Sequence, residues 1–290
     1  MTGRSETHRP LAVGYQRLLD ACRIVLMAPS LSANIGSAIR AMTTMGLRDL
    51  VVVAPRDPDF QTDSAALARA GGARHRLADV ASAPTLDAAL HDCQLAVAVS
   101  AEGRAFGPAP EYPGPLCADV LAALAGGQLQ RVAFVFGTER SGLQSCEMAR
   151  CQRWLTIPAD AEYSSLNVAQ AVQIVAFSLR QAVLAGVAED MAAAARMQPP
   201  LARLGHIEAL YRHVERSLVA LGTLNPARPR RLMARLRHLF GRTQLTPDEL
   251  DMLHGICRDI ERRVPTAVSA ARQGPAVAGR EDAAESEQSP

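Results

Sequence analysis

From residue 23 to residue 184 the chain repeats one pattern: a short apolar run, then a stretch with helical periodicity. This alternation constrains the fold more than any other feature, because parallel strands need crossover connections and those are usually helices. The apolar runs predict strands at 24–27, 50–53, 95–99, 132–136 and 154–157. Helices are expected at 35–45, 64–70, 86–91, 118–124 and 168–184, with a short turn around 144–149. The expectation is an α/β fold with a Rossmann-like, mostly parallel sheet.

The pattern stops at the alanine-rich stretch 185–200, which ends in Pro199-Pro200 and reads as a boundary. Beyond it only helical stripes remain. Ile207, Leu210, Val214, Leu218 and Leu221 form one, and Leu232, Met233, Leu236, Leu239 and Phe240 a second. Thr246-Pro247-Asp248-Glu249 reads as a capping box with proline at the first helical position, opening a third helix with Leu250, Leu253, Ile256 and Ile260 on one face. The expected organisation is an N-terminal extension at 1–20, an α/β domain at 21–188, a small all-helical unit at 196–264 and a disordered tail at 265–290.

Charge separates these units. All 31 basic residues are arginine, since the sequence has no lysine. That excludes phosphate-loop NTPases, pyridoxal and aldolase Schiff bases and kinase-type ATP sites, each of which needs a lysine amine. Residues 1–195 carry 16 arginines against 18 acids, whereas 196–272 carry 14 against 7. The basic stretch predicts a polyanionic partner. On a helix through the second stripe, Arg228, Arg231, Arg235 and Arg242 fall within about 60° of one another, a row able to follow a phosphate backbone. Tyr163 and Tyr211 are the candidate base stackers. The six cysteines form no C-x-x-C pair and suit buried thiols in a reducing, cytoplasmic compartment. His75, His91, His206, His213, His238 and His254 lack metal-ligand spacing, so no metal is expected and the histidines suit surface or helix-end positions. No apolar run is long enough for a bilayer span, so no membrane association is expected.

In open α/β sheets ligands gather where strands end and helices begin. Four loops meet that condition: 29–34, 100–103, 137–143 and 158–167. None carries the dinucleotide fingerprint G-x-G-x-x-G. Asn34-Ile35-Gly36-Ser37-Ala38-Ile39-Arg40 opens the first long helix, with Asn34 suited to cap it and Gly36 leaving room near Arg40 for an anionic partner. A capped helix with a solvent-facing arginine fits the same residues. Phe136-Gly137-Thr138-Glu139-Arg140-Ser141-Gly142-Leu143 sets a carboxylate and an arginine between two glycines, suited either to close ligand approach or to a tight surface turn. Tyr163-Ser164-Ser165-Leu166-Asn167-Val168-Ala169-Gln170 leads into the long helix; it holds more polar residues than one cap requires.

In this order the three words resemble the motifs of the SPOUT methyltransferases, in the TrmH-type branch that methylates ribose 2′-hydroxyls of RNA. The resemblance spans about residues 20–263, and the C-terminal helices are similar to those of the branch acting on cytidine or uridine 32 of the tRNA anticodon loop. It implies a deep trefoil knot in the C-terminal half of the α/β domain, S-adenosylmethionine as cofactor, tRNA as partner and an obligate homodimer whose sites are completed across the interface. Carried onto this sequence, it makes Arg40 and Ser165 catalytic with Asn34 and Glu139 in support. It also sets the cofactor against Ser100, Ala101, Gly137, Glu139, Ile157, Leu166 and Asn167, and RNA against Arg40, Arg140 and the four arginines of the basic row. One departure stands out: this branch reads Thr-Ser-Ala-Arg where the chain reads Val99-Ser100-Ala101-Glu102-Gly103-Arg104. A ribosomal-RNA methyltransferase or a catalytically silent RNA-binding relative are the alternatives the same residues allow.

Overall fold

The computed structural model describes residues 13–102, 108–186, 199–228 and 231–272. Its centre is a seven-stranded sheet built from β1 (Cys22–Met27), β2 (Asp49–Val53), β3 (Ala81–Ala83), β4 (Leu95–Val99), β5 (Pro110–Glu111), β6 (Val132–Phe136) and β7 (Arg153–Leu155). The order is β3-β2-β1-β6-β4-β7-β5, and every pairing is parallel. Register is set across the centre by Ile24 opposite both Leu50 and Phe134, and by Val99 opposite both Phe136 and Leu155.

Every residue of β4 and β6 is buried, as a parallel sheet covered on both faces requires. Side chains alternate between the two covers. Ile24, Leu26, Val97, Phe134 and Phe136 face α2 (Ser32–Met45), α5 (Pro113–Ala125) and α7 (Val168–Leu184). Val25, Ala96, Ala98, Ala133 and Val135 face the smaller α4 (Leu86–Leu90) and α6 (Ser145–Met148). A short α1 (Val13–Asp20) adds fully buried Leu19 to the first core, and α3 (Ser64–Ala70) packs on α2.

β3 and β5 are absent from the sequence expectation for a physical reason. They are three and two residues long, sit at the sheet edges and lack a buried apolar run. α5 starts five residues earlier than its apolar pattern, at Pro113, where proline suits a first helical position. β7 ends at Leu155, so Ile157 belongs to the following loop.

The helical C-terminal part is docked on the sheet. α8 (Leu204–Ala220) begins with Leu204, whose side chain joins the second core and whose N–H donates to the Cys93 carbonyl at 2.8 Å. α9 (Leu232–Thr243) and α10 (Pro247–Arg272) follow, and Ala202, Leu210, Leu245 and Leu250 form a small core of their own. Thr246 and Glu249 make the expected reciprocal cap. α10 runs on to Arg272, so residues 265–272, assigned to the tail by composition, are helical; 273–290 lie outside the described residues. Arg228 and Arg231 precede α9, which corrects the single basic helix expected through them.

From β7, near one edge, the chain returns to the middle of the sheet and enters α7, which packs on α2 and α5. That return is a crossover from near the sheet edge to its centre. It also carries the third sequence word back beside the first two.

Candidate active site

β1, β6, β4 and β7 are neighbours, so the loops leaving their C-terminal ends converge. Between three of them lies a cleft of about 300 Å³. Val99, Phe136, Ile157, Leu166, Val168 and Ala171 supply its apolar wall; Ser100, Glu102, Thr138, Arg140, Ser141, Ser164 and Ser165 supply polar groups at its edge.

Each loop is held by its own bonds. Ser100 is fixed from both sides, its N–H donating to the Leu155 carbonyl at 3.1 Å while the Trp154 indole donates to its carbonyl at 2.9 Å. Thr138 and Gly142 exchange backbone hydrogen bonds of 3.2 and 3.0 Å, with Gly142 at φ +61°. A Cβ on Gly137 would stand 2.0 Å from the Gly142 carbonyl carbon. Gly137 is therefore demanded by the loop folding back on itself, rather than by close ligand approach. Gly36 has a similar explanation: its missing Cβ would meet the Ala66 carbonyl oxygen at 2.1 Å, so it lets α2 and α3 touch. It does not clear space for an anion.

Asn34 connects the three words. It lies inside the first turn of α2, 8% exposed, and does not cap the helix; Leu31 occupies the cap position without a side-chain bond. Its amide instead donates to Glu139 Oε1 at 2.8 Å, and its Oδ1 accepts from the Asn167 amide at 3.1 Å. Glu139 also accepts from the Ser30 N–H and hydroxyl at 3.1 and 3.0 Å. Partial burial by itself would raise the Glu139 carboxyl; the bonds from Asn34 and Ser30 outweigh it and hold the group below the ordinary carboxylate range. Asn167 caps α7, its Oδ1 accepting from the Ala169 N–H at 2.9 Å, with Gln170 completing a capping box. A relay of Glu139, Asn34 and Asn167 thus locks the loop after β6, the start of α2 and the entry to α7 into one unit.

Six of the seven expected cofactor contacts, Ser100, Ala101, Gly137, Glu139, Ile157 and Leu166, line the cleft, and Asn167 stands behind them in the relay. Ser165 and Arg140 line it too. Arg40 does not: it is exposed on α2, and a Cβ placed on Gly71 would lie 3.9 Å from its Nη1. Arg228, Arg231 and Arg235 line a separate concavity with Asn225 and Leu224, while Arg242 lies outside it. Tyr211 is buried with the Arg237 guanidinium 4.3 Å over its ring, so it is no base stacker; Tyr163 is 80% exposed. His213 is buried against His254 rather than at the surface. Cys146 is exposed, whereas the other five cysteines are buried, and burial pushes the Cys93, Cys117 and Cys151 thiols up to about 12. Gly103 and Arg104 lie outside the described residues. Sequence reasoning missed Ser30, whose role depends on a partner 109 positions away. Among the described residues, no group of three or more histidines, cysteines or acids is placed to hold a metal, and no helix is long and apolar enough to cross a membrane.

Residues 21–177 match the SpoU rRNA methylase family. The chain belongs to that family and is a methyltransferase with the α/β fold its motifs imply. Residues 205–269 match the C-terminal domain of the tRNA methyltransferase TrmJ, which sets the chain in the TrmJ branch. The tRNA (cytidine/uridine-2′-O-)-methyltransferase TrmJ of Klebsiella pneumoniae is 39% identical over 85% of this chain and 98% of that protein. The tRNA (cytidine/uridine/adenosine-2′-O-)-methyltransferase TrmJ of Pseudomonas aeruginosa is 38% identical over 84% and 95%. Among solved structures, TrmJ from Z. mobilis superimposes with a TM-score of 0.70 at 31% identity, covering 82% of this chain and 98% of that one.

Proposed function

We propose that the chain transfers a methyl group from S-adenosylmethionine to the ribose 2′-hydroxyl of nucleotide 32, cytidine or uridine, in the tRNA anticodon loop, and works as a cytoplasmic homodimer. The observation carrying this reading is the cleft at the sheet's carboxyl edge, with its loops tied by Glu139, Asn34 and Asn167. The substrates named for the TrmJ relatives support the choice of RNA.

The cleft suits the cofactor's chemistry. An apolar wall of Val99, Phe136, Ile157 and Leu166 can take a base, and the serine- and glycine-rich loops offer polar groups at its edge. When bound, the cofactor supplies an electrophilic methyl on a sulfonium. The protein must then align the ribose oxygen with that methyl and stabilise the charge it develops. Ser165 lines the cleft and can orient the hydroxyl. Arg40 serves as a cation at the developing alkoxide while another acceptor takes the hydroxyl proton, since a guanidinium hardly ever gives up its own proton and is a very poor base. Because Arg40 does not line the cleft of its own chain, we assign it to the cleft of a second copy. Phe177 and Leu184, exposed and seven residues apart on one face of α7, offer an apolar seat for that copy.

In this reading residues 21–188 catalyse, and the basic unit at 196–264 grips the RNA through Arg228, Arg231, Arg235 and Arg242, with Arg140 at the cleft. Incubation with methyl-labelled cofactor and purified tRNA or ribosomal RNA, followed by mapping of alkali-resistant linkages, tests it. Label at nucleotide 32 of tRNA is the expected result; label in ribosomal RNA alone overturns the assignment.

A further inference from the structure

α9 carries Arg235 and Arg242, yet apolar packing barely fastens it. None of its residues is buried, Leu239 is exposed, and Phe240 reaches the small C-terminal core only from its margin, 6.4 Å from the Tyr211 ring. A helix so mounted would be free to swing unless something else fixed it.

That fixture is ionic. Arg237, on α9, turns inward and is 18% exposed at its side chain. It makes a two-pronged contact with Glu208 of α8, one prong at 2.7 Å, while its guanidinium covers the Tyr211 ring and the Tyr211 hydroxyl donates to its carbonyl at 3.4 Å. Glu208 is 15% exposed and accepts a second arginine, Arg150, at 3.0 Å. Arg150 follows α6 of the α/β domain and in turn pairs with Asp87 of α4 at 2.9 Å. Charges thus alternate from α4 through Arg150 and Glu208 to Arg237, leading from the catalytic sheet to the basic helix. A fork-to-carboxylate contact fixes direction as well as distance. Removing its carboxylate would take the acidic partner from the largely enclosed Arg237 guanidinium and leave Arg150 to Asp87 alone.

We infer that Glu208 is a positioning residue for the RNA: it holds α9 at a fixed angle to the catalytic domain, so that phosphate contacts on the helix and the reacting ribose in the cleft can be met at once. The inference rests on the proposed RNA methylation. Glu208 does not line the cleft, so its loss is expected to be felt in RNA binding rather than in the chemical step.

The test uses Glu208→Gln, Glu208→Asp, Arg237→Gln and the Glu208→Gln/Arg237→Gln double variant of the full chain. Two readouts are required: amide hydrogen exchange of 232–243 without RNA, and KM and kcat for tRNA, or for whichever RNA the wild type methylates. Glu208→Gln should speed exchange in α9 and raise KM about tenfold, with kcat and cofactor affinity within about twofold. Glu208→Asp, which keeps the charge, should recover part of the loss. Arg237→Gln leaves the Arg150 contact intact and guards against misfolding of the first variant; it should reproduce the KM effect, and the double variant should add little to either. Unchanged exchange in α9 for both single variants overturns the inference. So does faster exchange with an unchanged KM, or a fall in kcat alone. A wild type that methylates no RNA overturns the proposed function, and with it the RNA role of Glu208, while the exchange arm still reports separately whether the carboxylate holds the helix.

Discussion

Asn34 uses both ends of its amide on residues more than a hundred positions away, donating to Glu139 and accepting from Asn167. Nothing local in the word Asn-Ile-Gly announces that use; by local rules an asparagine at a helix start is a cap. Replacing Asn34 with Ala should lower stability by about 1–3 kcal/mol, because it strips a partner from the half-buried Glu139 carboxylate and unties the exposed Asn167 amide. Thermal melting reads that loss, and cofactor affinity should fall with it. The same substitution should return the Glu139 carboxyl toward its ordinary value, readable by NMR titration. Since its folded pKa is depressed, Glu139 contributes stability at pH above the ordinary carboxylate range, and that contribution disappears as pH falls through the folded value. Arg40 differs in kind. Arg40→Ala should abolish methylation while leaving the cofactor dissociation constant within about twofold, measured by calorimetry; near wild-type turnover would remove Arg40 from the mechanism.

Elements with a full apolar run were legible from sequence, as β4, β6 and α7 demonstrate. Elements defined by their neighbours were not, as with the two-residue β5 at the sheet edge. Gly36 marks where packing between elements overrules local logic. Gly36→Ala should cost about 2–3 kcal/mol, because the added methyl meets the Ala66 backbone and α2 and α3 must part; chemical denaturation measures it. The α8–α10 contact should respond to pH. His213 Nδ1 lies 2.7 Å from His254 Nδ1, and His213 Nε2 faces Glu261 at 3.4 Å. Burial, then the neighbouring His213 and Arg258, hold His254 below the usual histidine value. A depressed histidine stabilises the fold above its unfolded pKa of about 6.5, and that stability fades as pH falls through the folded pKa. Melting compared at about pH 7.5 and about pH 5 should show a larger drop for wild type than for His254→Gln; equal drops would mean the pair is thermodynamically idle.

For the whole molecule the decisive question is whether one chain completes its own site. If Arg40 acts in a partner's cleft, Arg40→Ala and Ser165→Ala proteins are each inactive yet mixing them after subunit exchange restores about a quarter of the sites. If both residues act within one chain, mixing restores none. Sequence alone determined the parallel α/β core, the arginine-rich helical unit and the three words at strand ends, since each depends on residue type and short-range period. Only the tertiary structure decided that Asn34 joins Glu139 to Asn167, that Gly36 and Gly137 serve backbone contacts, that Tyr211 and His213 are buried and that Arg40 stands off the cleft. Such facts depend on which segments meet across a sheet ordered β3-β2-β1-β6-β4-β7-β5, and a periodicity of 2 or 3.6 residues carries no information about who those neighbours are.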